Sequence, residues 1–277
     1  MRSSHGFIGR GLSVLSKKFF KKEKHEIALF QKLLLELQAD CNRDCFFCPR
    51  HGDASGKRKH GDGSHVAARM PTEKALSILD QAREMGFSGQ VSFHHHSEPF
   101  LDERIIAMAW EARKRGMRVY EHTNGDVLRS NEKLAREAAA VFDYIVVGLY
   151  DHKSEAELSG EKAFWEKKLK DTQVYFSQKE FVYPRNFVEY DRRMIREKKA
   201  YPSAPCRRPS IRFIVHYDGE TALCCEDMQA AYHLGNAFHI PIKDIWYSSK
   251  HIQMIKDLEQ GMRRRYPLCG KCPLPPA

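Results

Sequence analysis

Apolar and polar positions alternate in blocks along most of the chain. KLLLELQ (32–38) is an apolar run of strand length. PTEKALSILDQAREMG (71–86) instead puts Ala75, Leu76, Leu79, Ala82 and Met85 on one helical face, with Pro71 and Thr72 suited to its start and Gly86 to its end. The alternation then repeats. QVSFHH (90–95) reads as strand, DERIIAMAWEARKRG (102–116) as helix capped by Asp102 and stopped at Gly116, and RVYEHT (118–123) as strand. EKLAREAAAVF (132–142) reads as helix, YIVVGLY (144–150) as strand, residues 153–170 as helix and TQVYFSQ (172–178) as a fifth strand. Strands separated by helices of this length pair in parallel through right-handed crossovers. Near residue 200 the pattern changes. YPSAPCRRPS carries three prolines, and IRFIVHYDGETALCCED then predicts a β-hairpin turning at Asp218-Gly219. A helix over 242–261 and a closing loop, YPLCGKCPLPPA, follow. The predicted organisation is a basic N-terminal segment (1–30), an α/β unit of parallel strands (31–200) and a small hairpin-plus-helix appendage (201–277).

The 277 residues suffice to bury a core without staples. No apolar run is long enough to span a bilayer, and the mean hydropathy is −0.58. The first twenty residues lack a signal-peptide core, so a cytoplasmic setting is expected. In that reducing setting, eight cysteines point to metal ligands or catalysts rather than disulfides. The net charge of +10 permits an anionic partner without demanding one. Part of the excess is local, with Arg10, Lys17, Lys18, Lys21, Lys22 and Lys24 set against Glu23 alone. Phe7, Ile8, Leu12, Leu15 and Phe19 recur there at roughly helical spacing, so the segment suits covering the main body or lying on a membrane surface.

The cysteines fall into two groups. Cys41, Cys45 and Cys48 follow the first strand at spacings of three and two. Cys206, Cys224, Cys269 and Cys272 belong to the appendage, with Cys225 left over. Four thiolates suit zinc or an iron–sulfur cluster. Three suit a cubane cluster with one iron open to the N and O donors of a small molecule. The first group stands where such folds gather their chemistry, at the C-terminal end of a strand. The second strand ends equally polar, in HHHSEPF (94–100). Strand alternation would place His94 and His96 on one face and His95 on the other, and no separate histidine metal site is expected.

Cys-x3-Cys-x2-Cys after the first strand, with Phe47 before the last cysteine, resembles the radical S-adenosylmethionine (SAM) superfamily. HSEP (96–99) stands where that superfamily has Gly-Gly-Glu-Pro, and TNG (123–125) is similar to its text after the third strand. The second group resembles the Twitch form of the SPASM appendage: Cys206, twelve residues, Gly219, four residues, Cys224, then Cys269 and Cys272. Small Twitch enzymes of the 2-deoxy-scyllo-inosamine dehydrogenase type are the nearest in spacing. The resemblance covers roughly residues 31–277. It implies a partial (β/α)5-6 barrel with a small iron–sulfur domain behind it.

The resemblance further implies that Cys41, Cys45 and Cys48 hold a [4Fe-4S] cluster whose open iron binds SAM, and that the four appendage cysteines hold a second, fully ligated one. Glu98 would meet the methionyl ammonium, with Thr123, Asn124, Tyr150 and Asp151 as contacts for the ribose or carboxylate. Here His96 and Ser97 replace glycines, so side chains could crowd SAM or reach toward substrate. His94 or His96 could move a proton or bind substrate. Arg185, Glu189 and Arg192 are further candidates for the base, and Cys225 for a hydrogen donor. The implied reaction is hydrogen abstraction from a carbinol of a sugar or aminocyclitol, giving a ketone or an epimer. A flavodoxin or ferredoxin would supply electrons. Maturation of a ribosomally made peptide is the rival within the superfamily. A zinc module binding nucleic acid, built on Cys45-x2-Cys48-x2-His51, is the rival outside it, and it leaves Cys41 and the second group unexplained.

Overall fold

The computed structural model describes residues 26–43, 45, 48, 69–150, 154–178, 200–272 and 274–276. Residues 1–25 of the basic N-terminal segment, residues 49–68, Phe47, Asp151, Arg185, Glu189 and Arg192 lie outside the described residues. Among the described residues no helix is long and apolar enough to cross a membrane.

Among the described residues six strands run parallel: β1 (Lys32–Leu35), β2 (Gln90–Ser92), β3 (Arg118–Thr123), β4 (Tyr144–Leu149), β5 (Gln173–Gln178) and β6 (Arg212–Val215). The short β7 (Thr221–Ala222) returns antiparallel to β6, and the sheet order is β5-β4-β3-β2-β1-β6-β7. The helices α1 (Thr72–Glu84), α2 (Ile105–Lys114), α4 (Glu132–Val141) and α5 (Glu155–Lys168) supply the crossovers, with a short α3 (Asp126–Ser130) before α4. Their packing follows from the apolar stripes: α1 buries Ala75, Ile78, Leu79 and Ala82, and α4 buries Ala135, Ala138, Ala139 and Val141. Against them lie Leu33, Leu35, Val91, Val119, Ile145, Val147, Phe213 and Val215, all essentially inaccessible. Alternate positions on the strands therefore share one core, as a sheet covered by helices requires.

The predicted hairpin forms, and Gly219 at its turn has φ +85, where a Cβ would meet the Asn236 side chain at 2.4 Å. Its first strand is also the sixth parallel strand of the main sheet, with Lys32 to Leu35 in register with Arg212 to Val215. The two sides of residue 200 thus share one sheet and one core. Trp246 strengthens that union. Its indole N–H donates to the Ala28 carbonyl at 3.1 Å, and its ring meets Phe30 and Phe213 edge-on.

Three elements depart from the pattern read in the sequence. The helix expected over 242–261 is two, α7 (Ile242–Trp246) and α8 (Ser249–Glu259), because the Ser248 hydroxyl accepts from the His251 N–H at 3.2 Å and starts a new helix. The tail expected as loop contains one turn, α9 (Pro267–Gly270), with Pro267 at its first position. Asp102 does not cap α2, which starts after Arg104; it closes a 3₁₀ turn at Pro99–Leu101 and binds the Arg104 guanidinium. A last single turn, α6 (Arg208–Ile211), leads into β6.

Candidate active site

The loops at the C-terminal ends of β1, β2, β3 and β6 converge. Cys41, Cys45 and Cys48 follow β1 as three half-buried thiols outside any disulfide. The Cys48 N–H donates to the Cys45 carbonyl at 2.8 Å, which draws the two cysteines' backbones together. The Asn124 amide lies 3.8 Å from the Cys41 sulfur and also donates to the Asn42 side chain at 2.8 Å. Asn42 and Arg43 in turn bind the Asp126 carboxylate at 2.9 and 2.6 Å. The Arg43 guanidinium holds that carboxyl below the usual range. The cysteine loop is thereby stapled to the start of α3. Gly125 makes the corner at φ +86, where a Cβ would strike Trp165 at 2.5 Å. Asn42, Arg43 and Asp126 were not singled out in the sequence, where they look like any polar loop start.

Glu98 ties the second loop to the third. Its carboxylate accepts from Thr123 Oγ1 at 2.7 Å, from the Asn124 N–H at 2.8 Å and from the Phe100 N–H at 3.2 Å. The Glu98 backbone is fixed by Gln38 and by the Asp40 carbonyl. Burial raises its pKa from 4.5 to about 7, against the three donors, which pull it down. Thr123 and Asn124 therefore stand in the site with Glu98, next to Cys41. Tyr150 does not join them. It folds back over Gly148, and its hydroxyl donates to Ser177 at 3.3 Å on β5.

The histidine run also departs from expectation. β2 ends at Ser92, so strand alternation does not extend to residues 94–96. His94 is partly exposed and binds Ser92 Oγ at 2.7 Å and the Glu121 carboxylate through Nδ1. Glu121 is fully buried and also accepts from Ser92 Oγ and the N–H groups of Phe93 and His122. Within RVYEHT, where Arg118, His122 and Thr123 are also polar, nothing in the sequence marks Glu121 as buried. His95 and His96 are both buried, with ring centroids 4.0 Å apart, and His95 stacks on His216 at 4.9 Å.

The appendage thiols form the second constellation. Tyr232 OH lies 3.9 Å from the Cys269 sulfur and Arg208 3.7 Å from that of Cys206, and the Cys272 N–H donates to the Cys269 carbonyl at 3.2 Å. Burial pushes the Cys269 thiol up to about 12, helped by neighbouring Cys272 and Cys206. Cys224 and Cys272 are raised in the same way. Cys224, Cys269 and Cys272, crowded out of water, favour their neutral form until cationic metal stabilises the thiolates, so with Cys206 the donor set fits an iron–sulfur cluster. The three thiols after β1 fit a cluster with one open iron on the same ground of donor chemistry. Cys225 stands apart, accepting from Arg212 at 3.3 Å and packing against Leu34, Ile214 and Ala222.

Comparison with known proteins agrees. The SPASM iron-sulfur cluster-binding domain matches residues 206–273, a span that contains Cys206, Cys224, Cys269 and Cys272. The S-adenosyl-L-methionine-dependent 2-deoxy-scyllo-inosamine dehydrogenase of Niallia circulans is 26% identical over 257 residues, covering 88% of this chain and 93% of that one. The crystal structure of BtrN in complex with AdoMet and 2-DOIA superposes with a TM-score of 0.69 at 21% identity, over 89% of this chain and 94% of that one. Native anSMEcpe with bound AdoMet does so at 0.56 and 14%, over 87% and 88%. These likenesses bear out the partial barrel with a C-terminal iron–sulfur domain.

Proposed function

We propose that this chain, a radical SAM enzyme with a C-terminal SPASM/Twitch domain, oxidises or epimerises a carbinol carbon of an aminocyclitol or sugar. The observation that carries the reading is the match to an aminocyclitol dehydrogenase over nearly the whole of both chains. When bound, a [4Fe-4S] cluster and SAM supply a 5′-deoxyadenosyl radical that takes hydrogen from an unactivated C–H.

The chain's own residues bind, orient and move protons. Cys41, Cys45 and Cys48 would hold the first cluster, with Asn124 steadying the Cys41 sulfur. Glu98 would receive the ammonium of SAM, and a cation there favours the ionised carboxylate that burial disfavours. Cys206, Cys224, Cys269 and Cys272 would hold the auxiliary cluster. The four have no open position for substrate, so the service they suit is electron transfer. Loss of a carbinol hydrogen leaves a hydroxyl proton to remove. His94 is the candidate base: Glu121 holds Nδ1 and fixes the ring, leaving Nε2 for the substrate. Cys225 is the candidate donor should the product be an epimer. A flavodoxin or ferredoxin is the proposed reductant.

The test is anaerobic reconstitution with iron and sulfide, then incubation with SAM, dithionite and candidate aminocyclitols carrying deuterium at each carbinol carbon. Deuterium in 5′-deoxyadenosine together with a ketone or inverted product supports the reading. Label transfer only from peptide substrates moves the chain to peptide maturation, and no 5′-deoxyadenosine from iron-loaded protein sinks the radical reading.

A further inference from the structure

The geometry points to a third metal site, separate from both cysteine groups: a mononuclear site for a divalent transition ion such as zinc, formed by Glu36, His95 and His216. One donor atom from each lies within 4.8 Å of the other two. All three side chains are buried, at 0%, 7% and 3% exposure. Two imidazoles and a carboxylate form a donor set that suits first-row divalent ions.

The fold explains why the three meet. Glu36 is the first residue after β1, His216 the first after β6, and His95 follows β2 by three. Those strands are neighbours, with β1 in the middle. The Glu36 N–H donates to the Val215 carbonyl at 2.9 Å, and the Leu37 N–H to the Phe93 carbonyl at 3.5 Å. The ends of the three strands are therefore fixed relative to one another. The His96 N–H donates to Glu36 Oε1 at 3.1 Å, an outer contact that orients the carboxylate. The two imidazoles already stack at 4.9 Å, with their planes inclined by 22°.

Drawing three atoms to a common centre at about 2.0–2.2 Å asks for shifts of no more than about an ångström from this arrangement. Three protein ligands leave a tetrahedral ion one open position, at the end of the strands where the radical chemistry is placed. The site does not depend on which substrate the enzyme takes. In the sequence it was invisible. The tempting run His94–His95–His96 contributes one ligand, and the other two lie 59 residues before and 121 residues after it.

The test uses the full chain with both clusters reconstituted, dialysed against Zn²⁺, desalted, and analysed for zinc, iron and sulfide. About one zinc per chain at unchanged iron is expected. His216→Gln, His95→Gln and Glu36→Gln should each weaken zinc binding more than about tenfold while keeping their iron. Co²⁺ in place of Zn²⁺ gives a readout on the unaltered protein that the clusters do not mask: X-ray absorption at the cobalt edge, with nitrogen and oxygen neighbours and no sulfur. Zinc well below stoichiometry in the unaltered protein, equal zinc in the three variants, or sulfur neighbours at the cobalt edge would overturn the assignment.

Discussion

Replacing Glu98 by Gln tests the central carboxylate through its linkage to folding. The group is buried, and its pKa rises from 4.5 to about 7, chiefly through loss of hydration. Between those two values the folded chain holds a proton that the unfolded chain has released. Stability therefore falls as pH rises through that window, by about 3 kcal/mol at 1.36 kcal/mol per unit. Glutamine has no proton to lose. It keeps the acceptor for Thr123 and Phe100 but sets an amide N–H₂ against the Asn124 N–H, at a cost of about 1–3 kcal/mol. The native protein should thus be the more stable one near pH 5, and the gap should close or reverse by about pH 8. For a chain of this size, 3 kcal/mol moves the unfolding midpoint by about 5 °C. The assay is anaerobic thermal unfolding of SAM-free protein at stepped pH, with iron content matched between the two. A difference in Tm that stays constant from pH 5 to pH 8 would refute the reasoning, because Glu98 would then titrate like a hydrated carboxylate.

Further outcomes follow from the same geometry. Replacing Cys41, Cys45 and Cys48 together by Ala should lower bound iron from about eight to about four per chain, read by iron and sulfide analysis, with the appendage cluster kept. His94→Gln should cut turnover by about 10²–10⁴-fold while iron content and SAM binding persist; an unchanged rate would remove His94 as the base. Trp246→Ala should destabilise the chain by about 3–5 kcal/mol in denaturant unfolding, since it empties a fully buried site and strands the Ala28 carbonyl.

Much of the parallel sheet was legible because apolar runs and helical stripes announce themselves locally. Cys-x3-Cys-x2-Cys after β1 and the closing Cys-x2-Cys were visible because their spacing is short-range. What escaped was decided over long distances or by single side chains. Pairing of β6 with β1 joins residues 180 positions apart, and nothing in IRFIV names its partner. The Ser248 cap splits a helix whose apolar spacing runs on without a break. Alternation misplaced His94 to His96 because β2 gives out at Ser92, where the buried Glu121 takes over the hydrogen bonds of the next residues. Tyr150 looked like a site residue at a strand end, yet Gly148 leaves room for its ring to fold back on the sheet.

Because the strand beside β1 comes from residues 212–215, β1 keeps an open edge until the ribosome has made most of the chain. Three leucines in a row on an unpaired edge are an invitation to association with other chains. A fragment cut near residue 200 would retain every crossover helix of the barrel and still present that edge. Expression of such a fragment should give aggregates, and slow synthesis between residues 36 and 212 would lengthen the period in which the nascent chain needs a chaperone.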